Sequence, residues 1–180
     1  MQIFDKLHLD DIHTLIFDFD GIFTDNKVFF DKNGNELVMC DRADGFAFNL
    51  LRKFLISENL NIDFFILSTE QNPVLISRAK KLNLPCFYGV KDKLEFIKNH
   101  FSDRFKSEED ISKGIVYFGN DLNDYEAMKF CRYSIAPENS HVLIKNISTY
   151  VLESKGGNGF LREFVEKLIY SKNLDLLSFI

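Results

Sequence analysis

An α/β fold, with a three-layer Rossmann-like parallel sheet, a small β-hairpin flap and no large cap domain, is predicted by three features of the chain. Short apolar runs alternate with amphipathic stretches, the pattern of repeated strand-helix units around a parallel sheet. Clusters of carboxylates, hydroxyls and amides fall directly after those runs, where an open parallel sheet has its ligand crevice. One segment, KVFFDKNGNELVMC at 27–40, breaks the alternation and reads as a hairpin. With 180 residues the chain can bury one substantial core but not two ordinary ones, so residues 1–180 are taken as a single domain.

Taken in order, strands are expected at 12–18, 62–67, 85–88, 114–118, 133–136 and 149–152. Leu15-Ile16-Phe17 reads as the buried strand that leads into the first acidic cluster. Between the first two strands, GFAFNLLRKFLISE spaces Phe46, Leu50, Leu51, Phe54 and Leu55 near the helical period. Asn72-Pro73 supplies an N-cap and a first-turn proline for the helix VLISRAKKLN. The polar run from Phe101 to Lys113 reads as a solvated helix and loop. In the hairpin, Asn33-Gly34 is the turn signal, and its position so soon after the first strand would project it over the crevice as a flap. Nothing between the clusters is long enough to form a large cap domain.

Charge and cysteine usage narrow the partners. A net charge of −5 without any lysine/arginine-rich run argues against a nucleic-acid or anionic-membrane surface, and a divalent cation would suit such a chain. Cys40, Cys86 and Cys131 are far apart, odd in number and set among apolar residues, which fits reduced core thiols of a cytoplasmic protein. The N-terminal MQIFDKLHLDD has an acidic cluster and no apolar stretch, so neither a signal peptide nor a membrane anchor is expected there.

Four clusters carry candidate chemistry. Asp18 and Asp20 sit one residue apart at the end of the first strand and face the same way, because strand side chains alternate with period two. Such a pair suits a nucleophile and an acid/base, although aspartates before a glycine also serve simply to cap a turn. Ser68-Thr69-Glu70 follows the strand IDFFIL, where a serine can hold a ligand oxygen or start a helix. Lys91 and Lys93 flank the opening of a helix after the third strand. Gly119-Asn120-Asp121-Leu122-Asn123-Asp124 follows IVYF with hard oxygen donors of the kind magnesium prefers.

The pattern DxDGxxTD at Asp18–Asp25 resembles the first motif of the haloacid dehalogenase superfamily, and the other three clusters resemble its second, third and fourth motifs in order. The resemblance implies that Asp18 attacks phosphorus and that Asp20 is the acid/base. It implies that Ser68 and a neighbouring amide hold a phosphate oxygen, and that Lys93, with Lys91 in reserve, neutralises phosphoryl charge. A Mg2+ ion would be held by Asp18, the main-chain carbonyl of Asp20, and Asp121 with Asn120. Asp124 would orient its neighbours. Here the chain departs from the commoner GDDxxD, in which the position of Asn120 is an aspartate.

Longer stretches, DRADGFAFNLL, ILSTEQNPVLISRAKKL, GNDLND and SKGGNGFLREFVEKL, are similar to the capless branch of that superfamily. The branch contains 3-deoxy-octulosonate 8-phosphate phosphatases and the phosphatase-like domain of some acylneuraminate cytidylyltransferases. The resemblance therefore implies a Mg2+-dependent phosphomonoesterase acting on the terminal phosphate of a 2-keto-3-deoxy sugar acid. An octulosonate 8-phosphate is expected first and a nonulosonate 9-phosphate second. A reading from another class is a non-catalytic oligomerisation module. The branch implies a homotetramer in which a neighbour helps close each site. Gly156, Gly157 and Gly159 would then form a turn that brings a neighbour's backbone and Arg162 near the opening, or else would simply end the sheet and start the last helix. Arg42, Asp44, Glu70 and Arg78 are the candidates for binding the sugar acid, since an arginine suits a carboxylate through paired donors.

Overall fold

The computed structural model describes Phe4 and residues 7–180; the expectation for the N-terminal stretch falls partly on residues 1–3, 5 and 6, outside the described residues. Among the described residues no helix is long and apolar enough to cross a membrane.

Six strands form one parallel sheet: β1 (Thr14–Phe17), β4 (Asp63–Leu67), β5 (Cys86–Phe87), β6 (Ile115–Phe118), β7 (Tyr133–Ala136) and β8 (Tyr150–Val151), ordered β5-β4-β1-β6-β7-β8. All six expected strands are present, most of them a residue or two shorter. β1 lies in the middle, with Phe17 level with Ile66 of β4 and Phe118 of β6, so three strand ends finish together. Every residue of β1 is buried because helices cover both faces, which is why its sequence is continuously apolar rather than alternating.

Alternation still sorts the two faces. Leu15, Phe17 and Phe118 pack toward α1 (Arg42–Ser57) and α7 (Phe160–Ser171), with Phe48, Phe54, Phe160 and Phe164 in the same core; Phe17 and Phe118 stack at 4.4 Å. Ile16 and Tyr117 point the other way, into a second core with Ile97 of α3 (Lys93–Phe101), Met128 of α5 (Tyr125–Phe130) and Ile144 of α6 (Val142–Ile147). Much of the phenylalanine therefore sits in the helix-sheet layers, with Phe29 and Phe30 exposed on the hairpin.

Local chemistry sets the element ends. α1 begins at Arg42, three residues before the expected start, because the Asp41 side chain accepts the Ala43 N–H. α2 (Pro73–Leu82) starts as expected, with Asn72 accepting from the Val74 N–H. The 101–113 stretch holds the end of α3 and a short α4 (Glu108–Lys113) capped by Ser107. The hairpin is built from β2 (Phe29–Phe30) and β3 (Glu36–Leu37) around a turn with Gly34 at φ +81°, where a side chain would be strained. Asp31 secures that turn by accepting from the Asn33 and Asn35 N–H groups, and a Thr24–Cys40 bridge joins the hairpin to the body.

One buried charge fixes how α1 meets α7. The latter helix is preceded by Gly159 in the left-handed region, which has no side chain to cap it. Asp44 of α1, 1 % exposed, does so from across the core: its carboxylate accepts from Gly159 N–H (3.3 Å) and Arg162 N–H (3.0 Å). Burial raises the Asp44 pKa to about 6 even though those N–H groups favour the charged form. An acid whose pKa is raised on folding holds its proton more tightly in the folded state, so its contribution to stability is largest below the unfolded pKa near 4 and declines as pH rises toward 6. An Asp44→Asn variant lacks that titration. Between pH 6.5 and 4, denaturant unfolding is expected to show wild type gaining about 2 kcal/mol relative to Asp44→Asn; a pH-independent difference would refute this account.

Candidate active site

The carboxyl ends of β1, β4 and β6 open into a crevice of about 460 Å³ lined by Asp18, Asp20, Ser68, Glu70, Asn120 and Asp121 among others. Asp18 directly follows β1 and continues its ladder, its N–H donating to Phe118 O at 2.9 Å, so the carboxylate is carried on rigid sheet backbone. The chain then turns at Gly21, φ +81°. Thr24 stabilises the turn by accepting from the Gly21 N–H (3.1 Å) and the Asn26 N–H (3.2 Å), while its hydroxyl donates weakly to Asp20 Oδ1 (3.4 Å).

Lys93 reaches Asp18 from the first position of α3, whose start is set by the Asp92 N-cap. Its ammonium donates to Asp18 Oδ1 and to Asp124 Oδ1, both at 2.7 Å, with all three groups buried. Lys91, the reserve candidate, is exposed. Tyr117, on β6, donates to the same Asp124 oxygen at 2.9 Å, and Asp124 Oδ2 accepts from the Asn120 N–H (2.9 Å) and the Asp121 N–H (3.4 Å). Gly119 lets the loop pass this close, since a Cβ there would sit 2.7 Å from the Asp124 side chain.

Electrostatics separate the acids. Burial, then the neighbouring Asp124 charge, pushes Asp18 up to about 7 against the pull of Lys93. Burial opposes the Lys93 charge, but Asp18 and Asp124 outweigh it and hold its pKa above the ordinary lysine value. For Asp20, burial followed by Glu70 and Glu36 raises the pKa, which favours the proton-bearing form a general acid needs. Ser68 is buried at the end of β4, with its Oγ accepting the Glu70 N–H at 3.1 Å.

The described structure divides the sequence-derived candidates. Asp18, Asp20, Ser68, Glu70, Asn120 and Asp121 meet at the crevice, with Lys93 directly behind it. Arg42 stands exposed at the start of α1, Asp44 caps α7, and Arg78 donates to Asp41 O (2.8 Å) over Gly45; none of the three lines the crevice. The glycine loop also packs within its own chain. Gly157 N–H donates to Ile22 O at 3.0 Å, and a Cβ on Gly156 would lie 1.7 Å from Gly21 O. These glycines end the sheet, start α7 and press on the turn that carries Asp20. Arg162 lies over the Phe46 ring and pairs with Glu166.

Two features escaped the sequence reading. Tyr117 was legible only as one residue of a buried strand. Glu36, on the hairpin, lines the crevice and accepts from the Asn72 side chain, fastening the flap to the start of α2. No sequence spacing connects residues 36 and 72.

The donor set accommodates a hard divalent cation. Asn120 is buried and its Oδ1 has no hydrogen-bond partner, an arrangement that costs free energy unless something takes the oxygen. It shares the crevice with the Asp18 and Asp121 carboxylates, so the available donors are the oxygens magnesium prefers.

Comparison with known proteins agrees with this geometry. Residues 1–164 match the family model of haloacid dehalogenase-like hydrolases. The chain is 27% identical over 164 residues to the 3-deoxy-D-manno-octulosonate 8-phosphate phosphatase of Haemophilus influenzae, covering 91% of this chain and 86% of that one. Among solved structures, a haloacid dehalogenase family hydrolase from Streptomyces avermitilis superposes with a TM-score of 0.79 at 31% identity, over 94% of this chain and 97% of the other. The 3-deoxy-D-manno-octulosonate 8-phosphate phosphatase of Yersinia pestis gives 0.76 at 26% identity, over 92% and 84%. The fold is shared too with the Moraxella catarrhalis phosphatase of that name, solved with magnesium, phosphate and 3-deoxy-D-manno-octulosonate, at a TM-score of 0.77 and 23% identity over 92% and 90%. With its four clusters gathered where neighbouring parallel strands end around a central β1, and its family match spanning most of the sequence, the chain belongs to the haloacid dehalogenase-like hydrolases.

Proposed function

We propose that this hydrolase is a phosphomonoesterase that works through an aspartyl-phosphate. The observation that carries the reading is Asp18, fixed on the end of β1, buried, and bonded at 2.7 Å to a buried lysine with Asp20 beside it in the same crevice. An Asp18 oxygen attacks phosphorus and the ester P–O bond breaks, while Asp20 gives its proton to the departing oxygen. Asp20 then takes a proton from the water that attacks the acyl phosphate, which releases inorganic phosphate and restores the Asp18 carboxylate. Ser68 and a neighbouring amide hold a phosphoryl oxygen, and Lys93 offsets negative charge. A magnesium ion held by Asp18, the Asp20 carbonyl and Asn120, with Asp121 adjacent, would supply further stabilisation of phosphoryl charge.

The substrate we favour is the terminal phosphate of 3-deoxy-D-manno-octulosonate 8-phosphate, with a nonulosonate 9-phosphate as the alternative; the phosphatases of that name among the relatives support the choice. In the described residues the crevice lining carries Asp20, Glu36 and Glu70 but no lysine or arginine to meet a sugar carboxylate. We place that cation on a neighbouring subunit of a homotetramer. The hairpin supports assembly, because Phe29, Phe30, Leu37 and Met39 are all more than half exposed on it. A cytoplasmic setting accords with three free cysteines.

Purified protein with magnesium is expected to release phosphate from the octulosonate ester, Asp18→Asn to fall to background, and Asp20→Asn to lose about 10²- to 10⁴-fold in kcat. Failure on sugar-acid phosphates and aryl phosphates alike would leave the oligomerisation-module reading standing instead. Replacing Phe29 and Phe30 together by serine is expected to convert tetramer to monomer in light scattering. The same change should lower kcat/KM for the sugar-acid phosphate at least tenfold more than for an aryl phosphate. A wild-type monomer, or equal losses on both substrates, would remove the neighbour from the site.

A further inference from the structure

We propose that Asn26 is a specificity-determining residue of the crevice, its side-chain amide donating to the hydroxyl that a sugar phosphate carries on the carbon next to its phosphoester carbon. The inference rests on the phosphatase reading above and names the part of the substrate that this wall reads.

Among the described residues four that are not glycine hold positive φ: Asn26 (63°), Asn59 (54°), Asn83 (53°) and Asn173 (56°). Three of them have an ordinary reason. Asn83 is the C-cap of α2, and Asn59 and Asn173 directly follow the C-caps of α1 and α7, where a left-handed residue commonly stops a helix. Asn26 ends no helix. It lies between the Thr24–Cys40 bridge and β2, at the root of the flap, and lines the crevice together with Asp20, Val28 and Glu36.

Its backbone is pinned while its side chain is left open. The Asn26 N–H donates to Thr24 Oγ1 at 3.2 Å, and that hydroxyl donates to Asp20 Oδ1 at 3.4 Å, so a single oxygen stands between Asn26 and the acid assigned to protonate the leaving group. The Asn26 amide itself, exposed at the crevice, makes no hydrogen bond within the described residues. The charges on either side of it are turned to each other, Lys27 to Asp25 at 3.4 Å, and neither lines the crevice.

Position decides what such an amide meets. Ser68 and Asn120 stand where β4 and β6 end, beside the phosphoryl group, whereas Asn26 stands on the side of Asp20, where the departing oxygen and its carbons must lie. A hydroxyl on those carbons needs an acceptor for its proton and a donor for its oxygen. Glu36 and Glu70 supply acceptor oxygens on the lining, and the Asn26 NH2 supplies the donor. An aryl leaving group has no such hydroxyl and gains nothing from it.

Steady-state kinetics of the whole chain on three esters tests this: 3-deoxy-D-manno-octulosonate 8-phosphate, its analogue lacking the C7 hydroxyl, and p-nitrophenyl phosphate. Asn26→Gly removes the amide and keeps positive φ at no steric cost, so its denaturation midpoint is expected to match wild type. Wild type is expected to prefer the full ester over the analogue by about three- to tenfold in kcat/KM, the range of one neutral hydrogen bond. In Asn26→Gly that preference is expected to fall below about threefold, with the loss on the full ester carried mainly by KM. A backbone role would instead lower kcat/KM on all three esters alike. That result, a wild-type preference under about threefold, an Asn26→Gly protein that keeps the wild-type preference, or hydrolysis of the aryl ester alone would each overturn the proposal and leave the phosphatase standing. A wild type that hydrolyses none of the three defeats both.

Discussion

The buried bridge from Lys93 to Asp18 and Asp124 is the interaction on which the arrangement of the site depends. It joins three segments that share no local sequence: the end of β1, the start of α3 and the loop after β6. Removing either partner from such a pair leaves an uncompensated buried charge and costs about 3–5 kcal/mol, while the intact bridge contributes far less than its Coulomb energy because three groups have lost their water. Its value is therefore geometric. The shared ammonium orients the Asp18 carboxylate, and Tyr117 and two loop amides take the remaining bonds of Asp124. Tyr117 reaches up from the second core, so packing beneath the sheet helps to set the direction of a charge above it.

A second constraint acts from the far end of the chain. The loop after β8 lies so near residues 21–25 that Gly156 and Gly157 touch backbone where any side chain would collide. Immediately beyond it, α7 begins without a cap of its own and takes one from Asp44 of α1. The turn carrying Asp20 is thus pressed from above by a loop whose position is fixed by α7, and α7 is fixed by a carboxylate on the helix that follows the flap. Glu36 closes the circuit on the other side by tying the hairpin to the N-terminus of α2.

What could be read in the sequence divides along the same line. The six strands were legible because a doubly covered parallel sheet writes continuous apolar runs, and Asp18, Asp20, Ser68, Asn120 and Asp121 were legible because a strand end places them within a few residues. Lys93 could be preferred over Lys91 only through family resemblance; the physical reason, that the first turn of α3 points one lysine inward and leaves the other in water, needs the helix start set by Asp92. Asp44 and Arg78 lie outside the crevice for a shared reason. Each is a charged residue in a striking local run, and each is committed to an element more than thirty positions away. Local pattern records the residue type, whereas partners that distant are chosen by how helices pack on the sheet.

Charge ties the site to what must come to it. Among the described residues five carboxylates line the crevice, Asp18, Asp20, Glu36, Glu70 and Asp121, and Lys93 is enclosed behind Asp18 rather than presented to a ligand. A phosphoester dianion entering alone would meet these acids with no lysine or arginine on the described lining to offset them. Opposing charge can come from a divalent ion, for which the crevice offers oxygen donors that include the unpartnered Asn120 Oδ1, or from another chain. The rigid parts of the molecule therefore hold the crevice carboxylates in register, while the lysine closest to them is spent on bonds within the fold.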